Sequence, residues 1–201
     1  METELDEDDI DKIKLKQVNH TGTDLKDAQF KKFYLEGADL RDANLEGFNL
    51  EEANIRGANL KRINLRNANL KGANLIKVKL VGAELKEANL EGADLEEADI
   101  RQANLEAANL EGANLCRANL ELANLRWARL INSCLVGTNF MAADLYWASL
   151  KWANLKGANL TWTNFKGADL EGANLDGANI SEAHYIRSRQ LSKVETFYNT
   201  L

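Results

Sequence analysis

Nucleophilic, acid–base and metal chemistry draw on a small set of side chains, and this 201-residue chain is poor in them. It has two histidines, His20 and His184, and two cysteines, Cys116 and Cys134. A structural zinc site needs four His and Cys ligands, and a nucleophile needs a base beside it. Neither set is clustered here. Carboxylates are plentiful, with 31 Asp and Glu against 25 Lys and Arg, and they include the adjacent pairs Glu51-Glu52 and Glu96-Glu97. Such pairs do acid–base work only inside a pocket that pushes their pKa values apart. The elements that carry these residues therefore decide whether any chemistry is open to them.

Those elements follow from one period. Stepping by five from Leu40 gives Leu25, Phe30, Leu35, Leu45, Leu50, Ile55 and Leu60, unbroken to Ile180 and Tyr185. We call this position i. Position i−2 is mostly Ala, as at Ala38, Ala43, Ala53 and Ala58, and i−1 is mostly Asn or Asp. On a helix of 3.6 residues per turn, a period of five scatters the leucines around the cylinder and leaves no buried stripe. A short strand fits: i−2 and i project inward, and i−1 projects outward. Positions i+1 and i+2 must then turn the chain. All 13 glycines, from Gly22 to Gly177, fall at i+2, where a turn relaxes the backbone.

Charge tells how many such walls close a coil. Opposite charges favour facing positions on neighbouring strands. At i+1, Lys31, Glu51, Lys71 and Glu91 alternate at a separation of 20, as do Lys26, Glu46 and Arg66. Separations of 15 and 25 show no such preference. Four pentads per coil give a square section, and residues 23–185 make about eight coils, a rod of roughly 39 Å. Repeated Ala-Asp-Leu and Ala-Asn-Leu triplets with two-residue corners resemble the pentapeptide-repeat family, abundant in cyanobacteria. The resemblance covers about four fifths of the chain. It implies an all-β right-handed quadrilateral β-helix; the handedness rests on that resemblance alone.

On such a rod the chemical candidates disperse. His20 and His184 fall at opposite ends, the carboxylates line convex solvated corners, and a filled core offers no pocket. We expect no enzyme activity, no cofactor and no metal site. Cys116 at i+1 and Cys134 at i−1 of the next coil approach each other, and we expect a reduced pair. The acidic Met-Glu-Thr-Glu-Leu-Asp-Glu-Asp-Asp start is unlike a secretory signal, and no stretch is apolar enough for a membrane helix. The expectation is a cytoplasmic protein without membrane contact. A net charge of −6 excludes a broadly basic surface, so no direct nucleic-acid binding is expected.

Solenoid ends need caps. Residues 1–22 read as an acidic segment and partial capping coil, 23–185 as the β-helix, and 186–201 as a C-terminal capping segment. In the last, Leu191, Val194 and Phe197 recur at helical spacing, predicting a short helix over Gln190–Tyr198 that caps the rod or makes a dimer contact. Phe33, Phe48, Ile63 and Val78 replace the usual Ala at i−2, which should distort or widen the coil. A repacked core is the plain reading and a ligand cavity the alternative.

One surface departs from the polar rule. Leu122, Trp127, Ile131, Val136, Met141, Tyr146, Trp147, Trp152 and Trp162 occupy i+1 or i+2, and all four Trp lie in this second half. Exposed apolar patches mark interaction sites, with Trp and Tyr as favoured anchors. The alternatives are rings lying flat to shield backbone, or a carbohydrate or other ligand surface. The function expected is therefore a non-catalytic structural or protein-interaction module, binding a protein partner or a second copy. Resemblance to quinolone-resistance members implies the alternative of a DNA-mimicking rod that modulates gyrase. Alternating charge columns copy a phosphate backbone poorly.

Overall fold

The computed structural model describes residues 35–195. His20, Gly22, Phe33, Phe197 and the segment 1–22 lie outside the described residues.

From Leu35 to His184 the chain repeats one five-residue unit whose backbone donors can be accounted for one by one. The unit Ala73–Lys77 serves as the example. The Ala73 N–H closes a four-residue turn onto the Leu70 carbonyl at 3.0 Å. Asn74 N–H reaches back one coil to Ala53 O, and Leu75 N–H reaches forward one coil to Asp94 O. Lys77 N–H also reaches forward, to Glu96 O. The fifth donor, Ile76 N–H, finds no carbonyl; the Oδ1 of Asn74 accepts it at 3.2 Å. All five N–H groups are thus paired, as buried and half-buried amides require. Asn or Asp is favoured at i−1 because its side-chain oxygen can accept the donor at i+1, although Lys79, Arg129, Cys134 and Ser149 stand there without that bond and the Asn59 Oδ1 has no partner.

Every β-bridge among the described residues is parallel and joins positions 20 apart, from Asp39↔Asn59 to Asn164↔His184. Four units per coil follow directly, as the charge alternation indicates. The amides also stack along the rod: Asn64 Nδ2 donates to Asn44 Oδ1 and Asn69 to Asn49, each at 2.9 Å. Each such Oδ1 takes two donors, one from its own turn and one from the next coil.

Inside, the Leu and Ala series form one buried column from Leu35 to Ala178. Phe48, Ile63 and Val78 are buried within it. The distortion expected from their bulk does not occur. Their N–H groups keep the turn bond at 3.1–3.2 Å, and the bridges beside them keep their register. In the second half Ser133, Thr138 and Thr163 occupy i−2 and are buried. Their hydroxyls donate to the carbonyls of Leu130, Leu115 and Phe140 at 2.7–2.8 Å, which offsets the cost of burying them.

Every i+2 residue from Gly37 to Glu182 has positive φ. Together with the closing bond at i+3, this is the signature of a type II turn. Glycine is favoured there but not demanded. Trp127, Trp147, Trp152 and Trp162 adopt φ of 54–58°, a conformation that costs an L-residue roughly 1 kcal/mol.

The end of the rod departs from expectation. The terminal helix, α1, spans Ser188–Leu191 rather than Gln190–Tyr198. After this single turn the chain returns to pairing with the last coil. Gly172 N–H donates to Lys193 O, and Glu195 N–H donates to Ala173 O. Those bonds draw the backbone out of helix after Ser192, and residues 196–198 of the expected helix lie outside the described residues. Gln190 anchors the turn through Nε2 to the carbonyls of Phe165 and Ala168. Leu191 and Val194 pack against the core, partly buried.

Ion pairs follow the coil geometry. Lys71–Glu91 at 2.9 Å and Lys86–Glu106 at 2.8 Å lie 20 residues apart, and Arg66–Glu84 at 3.0 Å lies 18 apart. Side-chain hydrogen bonds from Arg41, Arg62, Arg101 and Lys86 hold Asp39, Asp42, Asp99 and Glu106 below their ordinary values. Bonds to Glu91, Glu106 and Glu171 raise Lys71, Lys86 and Lys151. A depressed carboxyl contributes stability above its unfolded value and loses it as pH falls through the folded one. A raised lysine contributes below its unfolded value and loses it as pH rises through the folded one. The thermal midpoint should therefore stay level around neutrality. It should fall as pH drops below the ordinary aspartate value of 3.8 and again as pH rises beyond the ordinary lysine value of 10.5. Because these pairs are exposed, both losses should be small and added salt should shrink them. A midpoint that climbs on acidification would contradict this.

Candidate functional site

The corner residues of the second half do not form one continuous patch. With 20 residues per coil, Leu122, Met141 and Trp162 share one corner of the rod. Trp127, Tyr146 and Trp147 share the next, and Ile131 and Trp152 the one after. The central corner alone brings rings into contact. Trp127 and Tyr146 meet edge-on with centroids 5.7 Å apart, and Tyr146 and Trp147 at 6.4 Å. Leu122, Trp127, Trp147, Trp152 and Trp162 are exposed; Ile131, Met141 and Tyr146 are half-buried.

Left-handed backbone at i+2 aims each side chain along the rod toward the next coil. Hence Asp42 meets Arg62 at 2.7 Å and Lys77 meets Glu97 at 3.3 Å. For the tryptophans the neighbour 20 residues on is often glycine. Trp147 lies over Gly167, where an added Cβ would come within 2.8 Å of the indole. Trp152 lies over Gly172, where a Cβ would come within 2.1 Å. These two rings do shield backbone with one face, as the plain alternative supposed, yet Trp147 remains 59% exposed.

Cations complete the central corner. The Arg126 guanidinium stacks 4.4 Å from the Tyr146 centroid and 4.9 Å from that of Trp127. Lys166 Nζ lies 5.7 Å from Tyr146 and 5.8 Å from Tyr185. Tyr185 stands at position i, which points inward elsewhere. It has φ of 59° and turns out into solvent, 59% exposed, because no further coil covers it. The sequence reading placed Tyr185 in the repeat series and missed this role; the dying repeat at His184-Tyr185 was the available signal. Beside the corner, an open cleft of about 340 Å³ runs between Trp147, Ser149, Asp169, Arg189 and Lys193. It exists because the last coil gives way to the α1 segment, an end effect that the regular repeat does not announce.

The cysteines also depart from expectation. Cys116 and Cys134 are joined as a disulfide with Cα atoms 5.7 Å apart, not held as a reduced pair. An 18-residue separation links i+1 of one coil to i−1 of the next. Arg66–Glu84 and Arg126–Asp144 use the same diagonal for ion pairs. The bridge is a covalent form of a contact the fold makes anyway. His184 sits on the last bridge, exposed, with its ring near Tyr185. Among the described residues no three His, Cys, Asp or Glu side chains are grouped to hold a metal ion. No helix there is long and apolar enough to cross a membrane.

Comparison with known proteins assigns the architecture. The sequence profile of Pentapeptide repeats matches in eight copies across residues 11–47, 34–72, 68–106, 108–145, 123–161 and 143–181. The chain belongs to the pentapeptide repeat family. Solved structures of this family are right-handed quadrilateral β-helices. Among them is HetL, a pentapeptide repeat protein involved in heterocyst differentiation regulation in the cyanobacterium Nostoc sp. strain PCC 7120. It is 32% identical over 82% of this chain and 81% of its own, with a TM-score of 0.65. Rfr23 from the cyanobacterium Cyanothece 51142 is 40% identical over 50% of this chain and 82% of its own, with a TM-score of 0.49. QnrB1, a plasmid-mediated fluoroquinolone resistance protein, is 18% identical over 91% of this chain and 88% of its own, with a TM-score of 0.44. No curated protein matches the sequence.

Two measurements check this pentapeptide-repeat surface. Gly172→Ala should cost about 1–2 kcal/mol for the left-handed backbone and more for the collision with Trp152. In a Trp152→Ala background the collision part should vanish, leaving only the backbone cost. Equal losses in both backgrounds would remove the packing of Trp152 on Gly172. For the bridge, the intact mass under non-reducing conditions should be lower by two hydrogens than after reduction. Reduction should lower stability by about 3 kcal/mol, the loop-closure value for this separation. Free thiols in the oxidised protein would contradict the pairing.

Proposed function

We propose that this protein is a non-catalytic interaction module whose partner-binding surface is the set of aromatic corners in its second half. One observation carries the reading. The large hydrophobic side chains exposed among the described residues all lie between Leu122 and Tyr185, in a rod whose other outward positions are mostly polar or glycine. Four of them are tryptophans held at a strained left-handed backbone, at sites where the other repeats place Gly, Asn, Ala or charge. Exposed rings on a rigid scaffold lose little conformational entropy on binding, which suits an anchor.

No catalytic step and no cofactor enters the proposal. Many of the carboxylates pair with Lys or Arg, and Asp39, Asp42, Asp99 and Glu106 are held below their ordinary values rather than raised for acid catalysis. HetL is involved in regulating a differentiation programme, and a role exercised by binding is the corresponding reading here. The DNA-mimic alternative gains no support from the surface, where cations and carboxylates are interspersed and many are ion-paired rather than forming a continuous line of negative charge. Leu191 and Val194 are assigned to capping rather than to a dimer contact, because they already pack against the core. In a thiol-buffered compartment such as the cytoplasm, the Cys116–Cys134 bridge would answer to the cellular thiol pool.

The test is a pull-down from the native host with the full chain and with Trp127→Ala/Trp147→Ala. The double variant should lose the partner, or any self-association seen by sedimentation, while keeping the wild-type thermal midpoint within a few degrees. An unchanged partner set and an unchanged sedimentation profile would refute the proposal.

A further inference from the structure

The central aromatic corner breaks the rule by which the rest of the rod satisfies its charges. Its i+1 column reads Glu46, Arg66, Lys86, Glu106, Arg126, Tyr146, Lys166 and Ile186. Up to Glu106 each cation of the column has a carboxylate partner, Arg66 with Glu84 at 3.0 Å and Lys86 with Glu106 at 2.8 Å. Beyond it the carboxylates stop and the cations continue. Tyr146 follows Arg126 where Glu106 follows Lys86, and it is flanked by Arg126 on one side and Lys166 on the other. Arg126 keeps one acidic neighbour, Asp144 at 3.3 Å. Among the described residues no carboxylate pairs with Lys166, nor with Arg187, Arg189 or Lys193 on the terminal segment beside it. Cations without such a pair also occur near the other end, at Arg56, Lys61 and Lys79, but there without aromatic neighbours.

The cleft beside the corner is lined by Trp147, Arg189 and Lys193. Asp169 on its floor already faces Lys151 at 3.3 Å. On a chain of net charge −6, this corner therefore carries a local excess of positive charge on an aromatic frame. Stacking fixes the guanidinium plane of Arg126 while leaving N–H groups at its edge, which pre-organises it for a carboxylate.

We infer that this corner and the adjoining cleft dock an extended, carboxylate-rich segment of a partner protein, whose acids complete the charge column that Tyr146 interrupts. This rests on the interaction-module reading and names the chemistry of its partner. A nucleic acid would supply anions too, but it gains much of its affinity by stacking bases on open ring faces. Here Tyr146 is flanked by both cations, Trp127 carries Arg126, and Trp147 has one face on Gly167. A peptide lying along a straight corner needs no open ring and finds Arg126 and Lys166 on either side of the Tyr146 coil, with Arg189 and Lys193 on the terminal segment beyond.

The experiment titrates the full chain with a short synthetic peptide of Asp and Glu interspersed with Leu, following tryptophan emission and heat. A Lys-rich peptide of equal length and an oligothymidylate serve as competitors. The acidic peptide should bind and the Lys-rich one should not. Its affinity should fall at least about tenfold in Lys166→Glu/Arg189→Glu and on raising salt from about 0.05 to about 0.5 M. Arg56→Glu, at the far end, should leave it unchanged. Failure of the acidic peptide to bind, equal binding by the charge-reversed variant, or tighter binding of the oligothymidylate would each overturn the inference. A native partner lost with Trp127→Ala/Trp147→Ala but kept with Lys166→Glu/Arg189→Glu would leave the module standing and remove its acidic partner. A partner kept by both variants would remove both readings.

Discussion

The structure depends on one donor that has nowhere else to go. In a coil of five-residue units, four N–H groups per unit reach carbonyls of the same turn or of neighbouring coils, and the fifth, at i+1, does not. In most units the Asn or Asp two residues earlier accepts it, as Asn74 does for Ile76 and Asn109 does for Glu111. A backbone bent every five residues would otherwise leave one donor per corner without a protein partner. Having taken on this task, the same side-chain oxygens also accept the amides of the next coil, and the ladder that results runs along the walls. Packing then has little freedom. The inward positions are spaced so that Leu and Ala fill the section, and the occasional Thr is tolerated because a carbonyl lies within reach.

A second constraint sits at i+2. Left-handed backbone there is costly for an L-residue, and it aims the side chain at the next coil. Where the neighbour is charged, a column of ion pairs results. Where the neighbour is glycine, a large ring can lie down, as Trp147 and Trp152 do. The rod thus turns a one-dimensional pattern into four columns per side-chain position, and surface chemistry is written down these columns rather than across a pocket. The Cys116–Cys134 bridge belongs to the same grammar: it occupies the 18-residue diagonal that ion pairs use elsewhere.

Function follows from where this regularity lapses. Between Leu35 and about Glu121 the corners carry mostly charged residues, amides and glycine; from Leu122 on, rings enter three of the four corners. Exposed rings, stacked cations and the cleft beside the α1 segment all cluster near the last coils. That end is also where the repeat stops and side chains such as Tyr185 are released from the core.

Most of the fold was legible in the residues alone, because a solenoid makes every contact a fixed distance along the chain. The period of five placed Leu and Ala inside. Charges at a separation of 20 counted the walls, and the parallel bridges bear that out. Glycine at i+2 located the turns, though not that Trp and Glu would take the same backbone. What the chain folded back upon was not legible. The helical spacing of Leu191 and Val194 suggested a longer helix, but strand-like bonds to Gly172 and Ala173 claimed that backbone after one turn. Tyr185 obeys the period in sequence and leaves the core in space, since burial requires a coil above it. The disulfide required the diagonal geometry of neighbouring coils, not the mere nearness of two cysteines. Repetition determines what one coil does to the next; only the tertiary structure decides what happens where no next coil exists.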